Sequence, residues 1–218
     1  WWLDYWNDVF MKRLVTSLCL VLLLVSGCQT TSPSHQTLYK QGPWQRGYVA
    51  YNSGDYATTL TEWRPLAEQG VTYAQHKLGY MYANGQGVPQ DDKTAVKWWK
   101  LAAEQGDASA QYNLGQIYRQ GKGVPQDYKT AVKWYRLAAE QGDEEAMMNL
   151  GDMYYNGEGV NQDYVKAYMW WNIVAEETGH NSAKNNIKVL EEHHMNVFQI
   201  ADAQTRSTLC VKNNYKGC

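Results

Sequence analysis

Ala74, Ala110 and Ala146 stand 36 positions apart, and most of the residues around them keep the same spacing. Leu78, Leu114 and Leu150 do so, as do Gly79, Gly115 and Gly151, and Tyr82, Tyr118 and Tyr154. The series runs on through Gly85, Gly121 and Gly157; Gly87, Gly123 and Gly159; Asp91, Asp127 and Asp163; and Trp98, Trp134 and Trp170. So many matches at one fixed period mark a chain built by repeating one small unit, and this limits the possible folds more than composition does. A partial copy comes first: Asp55, Trp63, Ala67 and Gly70 match the second half of later units, behind a shorter first helix over 44–54. The last unit slips by one residue near 176–178, so Ala183 takes the place expected at 182.

Each unit reads as two helices, as residues 107–142 illustrate. Asp107 supplies an N-cap, and Ala110, Leu114, Ile117 and Tyr118 recur at i, i+4, i+7 and i+8, one face of a helix. Gly121 and Gly123 end that helix, and Val124, Pro125 and Gln126 form a turn. Asp127 caps a second helix carrying Ala131, Trp134, Tyr135, Ala138 and Ala139 at helical spacing, and Gly142 stops it. Gly in mid-helix costs about 1 kcal/mol against Ala. Its recurrence at Gly79, Gly115 and Gly151 therefore implies close helix contact, expected here between Gly115 and Ala131. Leu114, Tyr118 and Trp134 are expected to fill the space between units. One hairpin cannot cover its own apolar faces but stacked hairpins can, so the expected fold is an all-α solenoid. Its units fall at about 44–70, 71–106, 107–142 and 143–179, with a partial unit over 180–195. Over 196–218 follows a capping helix, started by Asn196 with Val197, Ile200, Ala201 and Leu209 as its apolar face, and then a Cys-containing tail.

The string Ala-x-x-x-Leu-Gly-x-x-Tyr-x-x-Gly-x-Gly-Val-x-x-Asp, followed by Ala, Trp, Ala-Ala and Gly, resembles the Sel-one-like repeat (SLR) family, a cousin of the tetratricopeptide repeats. The resemblance covers roughly residues 55–183. Asn161 replaces the proline of Pro89 and Pro125, and Gly179-His180 replaces Gly-Asp. The resemblance implies a right-handed α/α superhelix that acts as a protein-binding scaffold. One SLR subgroup has a disulfide in each repeat, and this chain has no cysteine between 29 and 209.

The N-terminal segment has a different logic. Lys12 and Arg13 precede an apolar run over 14–25, shorter than the roughly 20 residues that cross a membrane. The run ends in Val25-Ser26-Gly27-Cys28, which resembles the bacterial lipobox. Residues 11–27 are thus expected to be a lipoprotein signal peptide, with Cys28 lipidated and anchored by its acyl chains. The alternative is a buried apolar helix that ends in Gly-Cys. By resemblance to enterobacterial sorting, Gln29 in place of Asp implies the outer membrane, with the protein facing the periplasm. Residues 28–43 read as the lipidated Cys and a flexible tether. Residues 1–10 fit no part of this plan, and Met11 is the better start, so they are read as an over-extended start.

Removing residues 1–27 takes away two charges of each sign, Asp4, Asp8, Lys12 and Arg13, and the net charge stays at −2. With no basic surplus, nucleic-acid binding is not expected. With Cys28 lipidated, Cys210 and Cys218 remain; an oxidising compartment allows them to pair, and the alternative is two free thiols. The residues Gly85-Gln86-Gly87 are not a nucleotide loop, since no strand precedes them and the Gly-Lys-Ser/Thr ending is missing. No Gly-x-Ser-x-Gly elbow is present. His193 and His194, being adjacent, point to different sides of a helix and do not make a metal pair. No catalytic residue, metal or cofactor is expected.

Tetratricopeptide-like solenoids bind on the face lined by the first helix of each unit, which the resemblance makes concave. The positions there outside the repeated core vary between units. They are Tyr73, His76, Tyr80 and Asn84; Tyr112, Gln116 and Arg119; and Met148, Asp152 and Tyr155. Tyr gives large contact area at low entropy cost, and amides bond a peptide backbone in both directions. The expected ligand is a peptide or protein segment, although some of these side chains could merely pack between units. Two other functions stay open. One is a structural part of an envelope secretion or polysaccharide-assembly system; the other is a hydrolase acting on peptidoglycan or β-lactams, which lacks a nucleophile–base constellation. If residues 1–10 are never translated, mass spectrometry of the protein purified from cells will detect no peptide from them.

Overall fold

Aspartates set most of the helix starts. In the computed structural model, which describes residues 42–218, Asp55, Asp91, Asp107, Asp127, Asp143 and Asp163 each accept from backbone N–H groups of the first helical turn. Each such cap is worth about 1 kcal/mol. The expected signal peptide, the Cys28 lipidation site and nearly all of the tether lie outside the described residues.

The first unit is α1 (Pro43–Ser53) and α2 (Tyr56–Glu68), and the second is α3 (Thr72–Asn84) and α4 (Asp92–Glu104). The third is α5 (Ala108–Gln120) and α6 (Tyr128–Ala139), and the fourth is α7 (Glu144–Asn156) and α8 (Tyr164–Thr178). Then come α9 (Asn181–His193) and α10 (Val197–Lys212). Each helix from α1 to α8 packs on the next, and α10 returns to pack on α8. The result is an all-α repeat solenoid. Ala74, Ala110, Ala146 and Ala183 are fully buried, so the periodic alanines lie where neighbouring helices meet.

The nearest neighbours of the mid-helix glycines are aromatic rings, ahead of Ala131 and its equivalents. A Cβ added at Gly79 would lie 2.5 Å from the Trp99 ring, and one at Gly115 would lie 2.5 Å from the Tyr135 ring. Gly47 meets Trp63 and Gly151 meets Trp171 in the same way. The ring therefore lies on a bare backbone, and the large buried aromatic side chain of the third unit is Tyr135; Leu114 is buried too, in the cluster with Val96 and Trp99. Tyr118 and Trp134, expected to fill the space between units, are partly buried: Tyr118 packs against the two neighbouring core clusters and Trp134 against one of them. The indole N–H of Trp63 donates to the Trp44 carbonyl, and that of Trp171 to the Met148 carbonyl. Trp99 finds no acceptor among the described residues, and Tyr135 has no such donor in its ring.

Buried glutamines link the units. The Gln75 side chain donates to the Ala67 carbonyl and the Gln111 side chain to that of Ala103. Gln105 and Gln141, just past the ends of α4 and α6, donate to the side-chain oxygens of Gln75 and Gln111 at 2.7 and 2.8 Å. A second close approach occurs at Gly123, whose added Cβ would lie 2.7 Å from the Asp92 backbone; its φ of 69° also favours glycine.

The C-terminal end is closed by α9 and α10 on α8. Helix α8 is apolar almost all round, with Tyr168, Met169, Trp170, Trp171, Ile173 and Val174 buried, as a helix covered on several sides must be. The apolar face expected for α10 is corrected in part: Ile200 packs against the core, but Val197, Ala201 and Leu209 are exposed, and Ala203, Ser207 and Cys210 are the buried residues. Ser207 accepts from Asn172 of α8, and the Tyr168 hydroxyl donates to Glu191 of α9 and accepts from Gln204 of α10. A Cys210–Cys218 disulfide folds the tail back, where the Tyr215 hydroxyl donates to Glu177.

Gly115→Ala gains about 1 kcal/mol of helix propensity but drives a methyl into Tyr135, where overpacking costs about 1–3 kcal/mol. The variant should unfold at lower urea concentration than the parent. Adding Tyr135→Leu should remove most of the Gly115→Ala penalty in a double-mutant cycle.

Candidate functional site

Each first helix turns one row of side chains away from the core, and three cavities lie along these rows. Tyr73 of α3 borders the first with Trp44, Gln45 and Tyr48 of α1, an open space of about 490 Å³. Tyr80 and Asn84 of α3 face Asn113, Gln116 and Gln120 of α5 across the second, of about 240 Å³. Asp152 and Tyr155 of α7 border the third with Trp171 of α8 and Asn186 and Val189 of α9, in about 200 Å³. Six of the ten side chains expected on this face thus line cavities: Tyr73, Tyr80, Asn84, Gln116, Asp152 and Tyr155.

The other four make contacts that hold the protein together. His76 is largely buried beside Tyr73, with Asn113 of the next unit 3.4 Å from its Nε2, and burial holds its pKa below the usual value. The Tyr112 ring packs beside Tyr135, and its hydroxyl accepts from Gln116. Arg119 donates to Glu158 at 3.0 Å and to Asn149 at 2.9 Å, which joins the third unit to the fourth. Met148 is half-buried, and its carbonyl receives the Trp171 N–H.

Tyr48, Asn113 and Asn186 are cavity residues that sequence reasoning missed. The signal for Tyr48 was present, since it follows Gly47 as Tyr80 follows Gly79. At the far end of the row, Tyr155 stands in an aromatic cluster with Trp171, Tyr164 and His194, all with ring centroids within 5.7 Å of it. His193 and His194 are turned apart, with ring planes at 78°. Among the described residues, no group of three or more His, Cys, Asp or Glu side chains could hold a metal ion, and no helix is long and apolar enough to cross a membrane. The arrangement offers aromatic faces, amides, the carboxylates Asp92 and Asp152 and the Lys122 ammonium, which suits recognition by contact and hydrogen bonding.

Comparison with known proteins agrees with this architecture. The Sel1 repeat model matches residues 72–107, 108–143 and 144–177. A Sel1 repeat protein from Oxalobacter formigenes is 30% identical, with a TM-score of 0.64 over 78% of this chain and 77% of that one. A protective antigen of uropathogenic Escherichia coli strains, displaying an SLR fold, is 38% identical, with a TM-score of 0.67 over 77% of this chain and 37% of that one. An exopolysaccharide production negative regulator of Rhizobium leguminosarum bv. viciae is 32% identical over 84 residues, 37% of this chain. The chain spans about a third of that regulator's length, 32%.

Asp152 is the charged group of this face with the clearest electrostatic signature. Burial pushes its pKa above the usual carboxylate value; Arg119, 4.0 Å away, and the Trp171 N–H oppose the rise. The folded protein therefore keeps a proton on Asp152 at pH values where the unfolded chain has lost it. Stability falls as pH rises through that window, which begins near the unfolded value of 3.8. Asp152→Asn should raise the melting temperature at pH 7, and its advantage over the parent should shrink as the pH is lowered to and below 3.8. Thermal melts across pH check both.

Proposed function

The chain belongs to the Sel1 repeat family, and on that premise we propose that it is a non-catalytic scaffold of the bacterial cell envelope. A lipid on Cys28 holds it to the outer membrane, facing the periplasm. Its first helices capture a peptide or protein segment. Repeats of this family generally mediate contact between proteins. The observation that carries the proposal is the row of three cavities whose lining varies from unit to unit while the packing residues behind it recur. Variation confined to one exposed face is what recognition by a repeat array requires.

The likeness to an exopolysaccharide production negative regulator favours a second reading, in which the captured partner belongs to a polysaccharide-assembly or secretion system. Hydrolysis of peptidoglycan or β-lactams is a weaker reading, because the two carboxylates, Asp92 and Asp152, line different cavities and no Ser or Cys lines either one, where a nucleophile beside its base is needed.

The combined substitution Tyr80→Ala, Asn84→Ala and Gln116→Ala strips the second cavity without touching a fully buried side chain. Protein immobilised and exposed to detergent-solubilised envelope extract should retain its partner when unaltered and lose it, by about tenfold or more, in the triple variant. Equal capture by a triple variant with unchanged helical circular dichroism would sink the proposal.

A further inference from the structure

The residue that follows each packing glycine has a special place. The glycine is covered by an aromatic ring, so the next side chain emerges at the edge of that contact. In the four units this residue is Tyr48, Tyr80, Gln116 and Asp152. Every one of them lines a cavity: Tyr48 the first, Tyr80 and Gln116 the second, and Asp152 the third. Both tyrosines are 43% exposed, although their rings are large and apolar. No other position along the first helices combines a fixed place in all four units with cavity contact and such a change in chemistry.

The chemistry runs in one direction. At the first unit the cavity is bordered by Trp44, Tyr48 and Tyr73, with Gln45 as the polar member. At the second, five amides share the border with Asp92 and Lys122, whose opposite charges offset each other. At the third, Asp152 stands against the Tyr155 and Trp171 rings, and α9 contributes only the neutral Asn186 and Val189. Arg119 does not neutralise this end. It lies 4.0 Å from Asp152 but makes its shorter bonds to Glu158 and Asn149, so two carboxylates share one guanidinium. A carboxylate flanked by aromatic faces is suited to a cationic side chain, which can use both the charge and the rings.

Building on the proposed capture of a peptide segment, we infer that the residue after each packing glycine sets the specificity of the face. Read from the first unit to the fourth, it selects an extended peptide with a bulky aromatic side chain at one end and a lysine or arginine at the other. The amides between them bond the peptide backbone.

The test uses the full chain and fluorescent peptides of about 12 residues, roughly 40 Å when extended. Each carries Trp at one end, Ser and Gly between, and Lys, Glu or norleucine at the other, in both chain directions. Fluorescence anisotropy should show the Lys-ended peptide bound about fivefold more tightly than the Glu-ended one, as a half-exposed charge pair allows. Asp152→Asn should erase that discrimination, and Asp152→Lys should invert it. Tyr48→Ala should weaken all the peptides and leave the Lys-to-Glu ratio unchanged. Discrimination that survives both Asp152 variants, each checked by circular dichroism, overturns the inference while the peptide-binding proposal stands. Absence of binding by any peptide, or binding indifferent to the Tyr80, Asn84 and Gln116 substitutions, overturns both, as does retention of neutral oligosaccharides in place of peptides.

Discussion

An aromatic ring lying on a bare glycine backbone holds each hairpin of this solenoid together. The contact recurs at Gly47 and Trp63, Gly79 and Trp99, Gly115 and Tyr135, and Gly151 and Trp171. Each glycine gives up about 1 kcal/mol of helix propensity, and the burial of a large ring offsets this, since aromatic side chains dominate core energetics. The same contact decides which side chains reach solvent. With the glycine sealed beneath a ring, its neighbour is held at the rim, and Tyr48, Tyr80, Gln116 and Asp152 line cavities for that reason. Core and face are two consequences of one packing constraint.

The period, the helix pairs and the aspartate caps were legible in the sequence, because each depends on residue type at fixed local spacing. The partner of the glycine was not. Adjacent aromatic pairs, Trp98-Trp99, Trp134-Tyr135 and Trp170-Trp171, lie about 100° apart on a helix. Strict identity points to the first member, which is only partly buried at Trp98 and Trp134. The second member, Tyr135 in the third unit, does the packing and tolerates a change of ring. Helix α10 misled for a related reason. Val197 and Phe198, both strongly apolar, are exposed, whereas Ala203, Ser207 and Cys210 are buried and are small enough to fit against α8. Of the face, Tyr and amide content pointed to some of the cavity residues, such as Tyr73, Tyr80, Asn84 and Gln116, but spacing alone could not separate Tyr80 from Tyr112, whose ring packs beside Tyr135.

The two ends of the array are built differently from its middle. At the first end Trp44 stacks on Trp63 with centroids 4.8 Å apart, and Arg46 makes a two-pronged bond to Glu62. At the other, Trp170 is buried where its counterparts are not, since α9 and α10 both rest on α8. Terminal units must cover faces that inner units leave to their neighbours. The glutamine links stop at the same boundary: Met147 stands where Gln75 and Gln111 stand, and it is buried among apolar residues.

The amides of the chain divide by where their hydrogen bonds end. Gln75 and Gln111 are almost fully buried and bond the backbone of a neighbouring unit, so exchanging those bonds would strand buried carbonyls at about 1–3 kcal/mol each. Among the described residues, Asn84 and Gln116 bond within their own helix, to the Tyr80 carbonyl and the Tyr112 hydroxyl four residues away. A ligand backbone can replace such short-range, half-exposed bonds without uncovering anything buried. The same residue types thus serve cohesion inside and recognition outside, and burial of the bonded partner separates the two roles. The asymmetry also explains why the face can change from Tyr to Gln to Asp between units while the core behind it keeps its period.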